Sequence, residues 1–136
     1  MNYWLLKSEP SDYSFADLLR DSRTVWDGVR NNQALMFLRT IKKGDRAFIY
    51  HTGKDKHIAG IADVVRGAYS DPAQDDEKLV VIDVQAREPL PEPVTLAAVK
   101  AEKAFADFHL VRISRLSVMP VPVAQWTKLC GMGGLG

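Results

Sequence analysis

The residues with chemical potential gather in two short loops and one basic stretch. Lys7-Ser8-Glu9-Pro10 follows the aromatic and apolar run Tyr3-Trp4-Leu5-Leu6. Trp26-Asp27-Gly28-Val29-Arg30-Asn31 stands just ahead of a segment with helical spacing. A Trp beside a Gly and flanked by Asp, Arg and Asn is unusual for a core segment. One reading packs Trp26 inside and lets Asp27 or Asn31 cap the helix that follows. The other leaves Trp26 free in a polar loop, where it is dispensable for folding. Residues 39–57 carry six positive side chains, Arg39, Lys42, Lys43, Arg46, Lys54 and Lys56, against Asp45 and Asp55. Residues 71–77 carry Asp71, Asp75, Asp76 and Glu77 and no base. Such runs serve either as solvated faces or as a rim that meets phosphate on one side only.

Several chemistries are absent. There is no Gly-x-x-x-x-Gly-Lys loop and no Gly-x-Gly-x-x-Gly after a strand. His51, His57 and His109 lack metal-ligand spacing, although His51 and His57 can face each other across a hairpin. No serine sits in a nucleophile elbow. The single cysteine, Cys130, reads as a small core residue and suits a reducing cytoplasm. No metal and no cofactor is implied.

The elements that must position the two loops follow from length and periodicity. At 136 residues, with 46% apolar and 26% charged side chains, the chain fits one domain, 1–136, with a core of its own. The net charge of +1 excludes coating of nucleic acid by bulk charge. No apolar run approaches the roughly 20 residues of a membrane span, and no basic segment precedes an apolar one as in a secretory signal.

Residues 3–7 read as a strand. Ser14 and Asp17 read as the cap of a helix that buries Phe15, Leu18 and Leu19. Residues 24–30 read as loop, and Ala34, Phe37, Leu38 and Ile41 as the stripe of a helix over 31–41. Strands are expected at 46–52 and 57–66, joined by a hairpin loop at Gly53, and at 79–87, ending before Pro89, Pro91 and Pro93. Thr95 caps a helix to about Glu102, residues 110–119 return to strand character, and Pro122 opens a last helix over 123–132. Strands in the middle with helices in the connections predict an α+β fold: a small mixed barrel with flanking helices.

The wording of several segments resembles the EVE domain family of the PUA-like and YTH-like superfamily. The resemblance rests on Tyr3-Trp4-Leu5-Leu6-Lys7-Ser8-Glu9-Pro10 with Tyr13, and on Trp26-Asp27-Gly28-Val29-Arg30-Asn31 with Ala34, Leu38 and Arg39. It continues through Gly44-Asp45, Tyr50-His51, Gly60-Ile61-Ala62, Leu110-Val111-Arg112 and Ser114-Arg115-Leu116-Ser117-Val118, almost end to end. It implies a PUA-like barrel and a non-catalytic pocket for a modified base. A modified cytosine in DNA is the leading candidate partner, and RNA the alternative.

The related YTH readers imply residue roles. Glu9 would read the base edge, Trp26 would stack on it, and Lys7 would meet the backbone. Ser8, Tyr13, Asp27, Gly28, Asn31 and His51 would complete the pocket, with Tyr13, His51 and Phe48 as candidates for a second aromatic wall. Arg30, Lys42, Lys43, Lys54, Lys56 and Arg115 would contact phosphate. Glu9 stands where those readers usually carry Asn, and its carboxylate suits an amine such as cytosine N4. A loop-holding pair of Glu9 with Lys7 or Arg115 is the competing role. Related ASCH enzymes imply the other functional class, with Glu9, His51 and Lys7 as acid–base groups.

Overall fold

The computed structural model describes residues 1–135 and is α+β, as expected. Its strands are β1 (Tyr3–Ser8), β2 (Arg23–Trp26), β3 (Arg46–His51), β4 (His57–Ser70), β5 (Val80–Thr95) and β6 (Val118–Pro120). They form one sheet in the order β2-β5-β4-β3-β1-β6. The β1–β3 pair is parallel and the others are antiparallel. No ladder joins β2 to β6, so hydrogen bonds do not close the barrel. The helices are α1 (Phe15–Asp21), α2 (Asn32–Leu38), α3 (Leu96–Ala101), α4 (His109–Arg112) and α5 (Val123–Met132). No helix among the described residues is long and apolar enough to cross a membrane.

Local chemistry explains the elements that match expectation. Ser14 and Asp17 form a reciprocal capping box on α1. Thr95 caps α3 and Pro122 precedes α5, whose Trp126 and Leu129 are buried. Trp126 stacks on Phe48, which is fully buried, and on Tyr3. The core therefore lies between the inner face of the sheet and the helices.

Four expectations need correction. Residues 23–26 are strand, not loop: Thr24 pairs with Val84 and Trp26 with Ile82. β5 runs on through Pro89, Pro91 and Pro93 to Thr95. The prolines fall beyond Gln85, where β2 no longer covers that edge, and beside an irregular register at Ile58–Gly60. Residues 109–112 are helix, and only 118–120 pair as strand. The Arg112 amide donates to the Phe108 carbonyl and the Ile113 amide to the His109 carbonyl, so these residues satisfy their backbone within one turn. In α1, Leu19 is exposed while Phe15 and Leu18 are buried.

Candidate nucleic-acid interface

The first loop is anchored at both ends of β1. Asp45, 4% exposed, accepts from the Asn2 amide, the Trp4 indole at 2.9 Å and the Lys42 amide. This knot ties β1 to the turn ahead of β3 and fixes where β1 ends. Beyond Ser8 the chain turns tightly, with the Asp12 and Tyr13 amides both donating to the Glu9 carbonyl. The Ser8 hydroxyl donates to the Tyr13 carbonyl at 2.5 Å. The Phe15 amide donates to His51 Nε2 at 2.9 Å, and the Phe15 ring lies across Gly60, where a Cβ would stand 2.4 Å from it. The segment 9–15 is thus pinned to β3 and β4.

The second loop leaves the edge strand β2. Gly28 has φ +79°, the left-handed region, with open space where a Cβ would stand. It is glycine for its backbone angle, not for lack of room. Asn31 caps α2 by accepting from the Ala34 amide.

The two loops face each other across a cleft of about 540 Å³. Its wall includes Lys7, Ser8 and Glu9 from one side, Trp26, Asp27 and Arg30 from the other, and Tyr13 between them. Thr24 and Val25 of β2 and Ser117, next to β6, also line it. The two edges of the sheet therefore meet at this cleft, and the open seam of the unclosed barrel is the cavity. Its size falls in the range of small-molecule sites, about 300–1,000 Å³.

Trp26 is 7% exposed and belongs to the core as much as to the cleft. The expectation of a free loop tryptophan is corrected: its pairing with Ile82 draws the indole inward and leaves a narrow strip facing the cleft. Tyr13 meets Trp26 edge to face, with centroids 6.4 Å apart and planes at 83°. Perpendicular rings offer one face and one edge, not two parallel walls. The Tyr13 hydroxyl donates to Asp21, and burial together with that carboxylate raises its pKa. Of the other candidate walls, Phe48 lies in the core and His51 lies outside the cleft lining.

Among the described residues Glu9 is held without an ion pair. Its Oε1 accepts from the Ser11 amide at 3.4 Å and the Ser11 hydroxyl at 3.2 Å, and its Oε2 from the Thr52 hydroxyl at 3.1 Å. A carboxylate has about four acceptor directions, so capacity remains for a ligand amine. Gly53, at φ +91°, lets the hairpin approach: a Cβ there would lie 3.3 Å from both Glu9 oxygens. Lys7 bonds instead to the Ser114 carbonyl at 2.8 Å, and among the described residues neither Lys7 nor Arg115 pairs with Glu9.

The remaining expected site residues are dispersed. Lys42 lines a separate groove with Met1, Asn2 and Val123, and Lys43 is an exposed residue of the same turn. Arg46 pairs with Asp63, and Arg39 donates to the Lys78 carbonyl. Lys54 and Lys56 lie with His57 and Lys100 along the start of α3. Arg115 is exposed, outside the cleft lining. His51 faces His57 across the hairpin, with centroids 5.0 Å apart. Burial and then His57 lower its pKa, and its Nε2 is occupied by Phe15. Of the expected acid–base set, Glu9 and Lys7 line the cleft, whereas His51 lies outside its lining with Nε2 engaged by the Phe15 amide. The sequence reading missed Thr24, Val25, Thr52 and Lys100. The β-branched pair ahead of Trp26 is a strand signal that finds the first two, whereas Thr52 and Lys100 carry none.

A cleft at the seam of an open PUA-like sheet is the class this geometry defines. The sequence model of the EVE domain matches residues 2–132, and the chain belongs to that family. It is 36% identical to chicken thymocyte nuclear protein 1, in a match that takes in 85% of this chain and 53% of that protein, so it spans about half the length of that relative. A Rhodopseudomonas palustris protein solved by NMR superimposes with TM-score 0.94 at 47% identity, covering 99% of this chain and 94% of that one. The human THYN1 protein, solved in complex with 5-methylcytosine containing DNA, superimposes with TM-score 0.88 at 30% identity and covers 98% of each chain.

Proposed function

We propose that this chain is a non-catalytic reader that takes a modified base of nucleic acid, a modified cytosine in DNA before one in RNA, into the cleft between the Lys7–Pro10 and Trp26–Asn31 loops. The observation that carries the reading is the likeness, over 98% of both chains, to a human protein in complex with 5-methylcytosine containing DNA. The chemistry of the cleft supports it. Glu9 retains an acceptor direction for an exocyclic amine, the Trp26 strip and Tyr13 give the base apolar contact, and Lys7 and Arg30 flank it with positive charge.

Magnitudes set what such a reader achieves. Stacking on an aromatic contributes about 1–3 kcal/mol, and a strip of indole gives the lower part of that range. Extruding a base from a duplex costs a few kcal/mol. The cleft alone roughly breaks even on duplex DNA, so phosphate contacts decide binding and salt weakens it steeply. One methyl group discriminates by about 1–3 kcal/mol. The test is a binding panel of oligonucleotides carrying cytosine, 5-methylcytosine and 5-methyluracil, in single and double strands, at two salt concentrations. The expected result is preference for the modified cytosine that persists at the higher salt. Equal binding of all bases overturns the reading.

A further inference from the structure

A second cavity of about 190 Å³ adjoins the cleft and shares Lys7 with it. Its lining includes Tyr50, Thr52, Lys56, Lys100 and Ser114. We propose that this cavity seats a phosphodiester of the bound strand, next to the nucleotide whose base enters the cleft. The proposal rests on the reading of the cleft as a base site and adds where the backbone runs.

Three elements far apart in the chain bring ammonium groups here: Lys7 from β1, Lys56 from the β3–β4 hairpin and Lys100 from α3. No carboxylate lines the cavity, and among the described residues none of the three lysines makes an ion pair. Asp55, the neighbour of Lys56 in the chain, lines the adjoining groove instead, and the Glu9 carboxylate lies beyond Thr52, in the cleft. Lys7 is also partly withdrawn from water. Its Nζ donates to the Ser114 carbonyl and stands 5.7 Å from the centre of the Tyr50 ring. Burial, and then the charge of Lys56, lower its pKa. The like charges of Lys7 and Lys56 repel each other with no ion pair to offset them, and an anion relieves that repulsion. The volume equals about six waters at roughly 30 Å³ each, room for a tetrahedral group that keeps part of its hydration.

The hydroxyl of Thr52 connects the two cavities. It lines the lysine cavity while its side chain donates to Glu9 in the cleft. Phosphate and base would therefore be held from the two ends of one short constellation, Lys7–Thr52–Glu9. The distribution of charge agrees with one direction of travel. On the far side of the cleft, Asp27 and Arg30 meet Asp71 at the start of the acidic loop.

The experiment uses a single-stranded oligonucleotide with one 5-methylcytosine, and a set in which one linkage at a time is a neutral methylphosphonate. Binding is measured for the wild type and for the double variant Lys56→Gln/Lys100→Gln. Both positions are exposed, and thermal melts verify that the variant is folded. The expected result is a loss of about tenfold in the variant. One methylphosphonate beside the modified base should cost the wild type a similar factor and the variant almost nothing more. Overturning results are no loss in the variant, or a loss that adds in full to every methylphosphonate. Inorganic phosphate at matched ionic strength is the other arm: strong competition without any coupled linkage makes the occupant a free anion and overturns the strand proposal. The same series on plain cytosine separates the two readings. Coupling at one linkage without preference for the modified base keeps the phosphate site and removes the base reading. Preference without coupling does the reverse, and no binding of any oligonucleotide at low salt removes both.

Discussion

The two flanks of the cleft both carry charged side chains, yet they differ in how that charge is answered. On the Lys7 flank three lysines share a cavity with no acid. On the Asp27 flank the charges are mixed and partly spent on the local backbone: Asp71 accepts from the Ala73 amide and Asp76 from the Lys78 amide. Unspent charge attracts a ligand, while charge committed to turns mainly shapes a loop. The comparison teaches that the amount of charge in a segment says less than whether the fold has supplied its partner. The basic stretch 39–57 makes the same point. The fold has used Arg39 and Arg46 on protein partners and, among the described residues, left Lys56 without an ion pair.

The largest effect expected breaks the wall that both flanks share. Trp26→Ala removes a side chain that is 7% exposed and lowers stability by about 3–5 kcal/mol, read from denaturant midpoints. Trp26→Phe should recover much of that stability and leave base preference reduced. A fully stable Trp26→Ala protein would return the indole to a free loop.

Glu9 comes next. Glu9→Ala should weaken cytosine derivatives about tenfold to a hundredfold, since a hydrogen bond to a charged group is worth about 1.5–3 kcal/mol. Glu9→Gln should lose less, and uracil or thymine derivatives should change little in either. If both base classes weaken together and the melting temperature drops, Glu9 serves only to hold Ser11 and Thr52.

A smaller change sharpens the contrast of the flanks directly. Replacing Asp71, Asp75 and Asp76 by Asn should raise affinity for all oligonucleotides by a factor of about two to five at low salt, and by less at high salt. Base preference should not move. An unchanged affinity means the acidic loop lies beyond the path of the strand.

The smallest effect concerns pH. Burial, with His57, depresses the His51 pKa, so the unfolded chain binds the proton more readily than the folded one. Stability is therefore complete above the ordinary imidazole range, about pH 6.5, and declines as pH falls through it toward the lower folded value. Protonated His51 cannot accept from the Phe15 amide, which pins the segment carrying Glu9 and Tyr13. Denaturant melts across this window should show the decline, and His51→Gln should remove that part of the pH dependence.

Much of this was legible from residues alone. The Ser14–Asp17 box and Thr95 marked helix starts because each cap is satisfied three residues on, and Pro122 because its fixed φ suits the start of a helix. The two loops of the cleft were legible as odd combinations of Trp, Gly, Glu and Lys, and the resemblance to the EVE domain gave them roles. The prolines of β5 hid a strand because whether a missing amide matters depends on which neighbour lies alongside. Trp26 looked free because β2 is short, and its strand pairing comes from β5, more than fifty residues further on.

By itself, then, the sequence determined the elements whose signals are local: the capped helices, the hairpin at Gly53, and the EVE domain identity carried by its motifs. The tertiary structure alone decided which edges of the sheet meet, that Thr52 holds Glu9, that His51 lies outside the cleft lining, and that Lys100 joins Lys7 and Lys56. The physical reason is the range of the interactions. Capping and backbone angle act over a few residues, whereas a cleft between two sheet edges exists only once six strands have paired in one order.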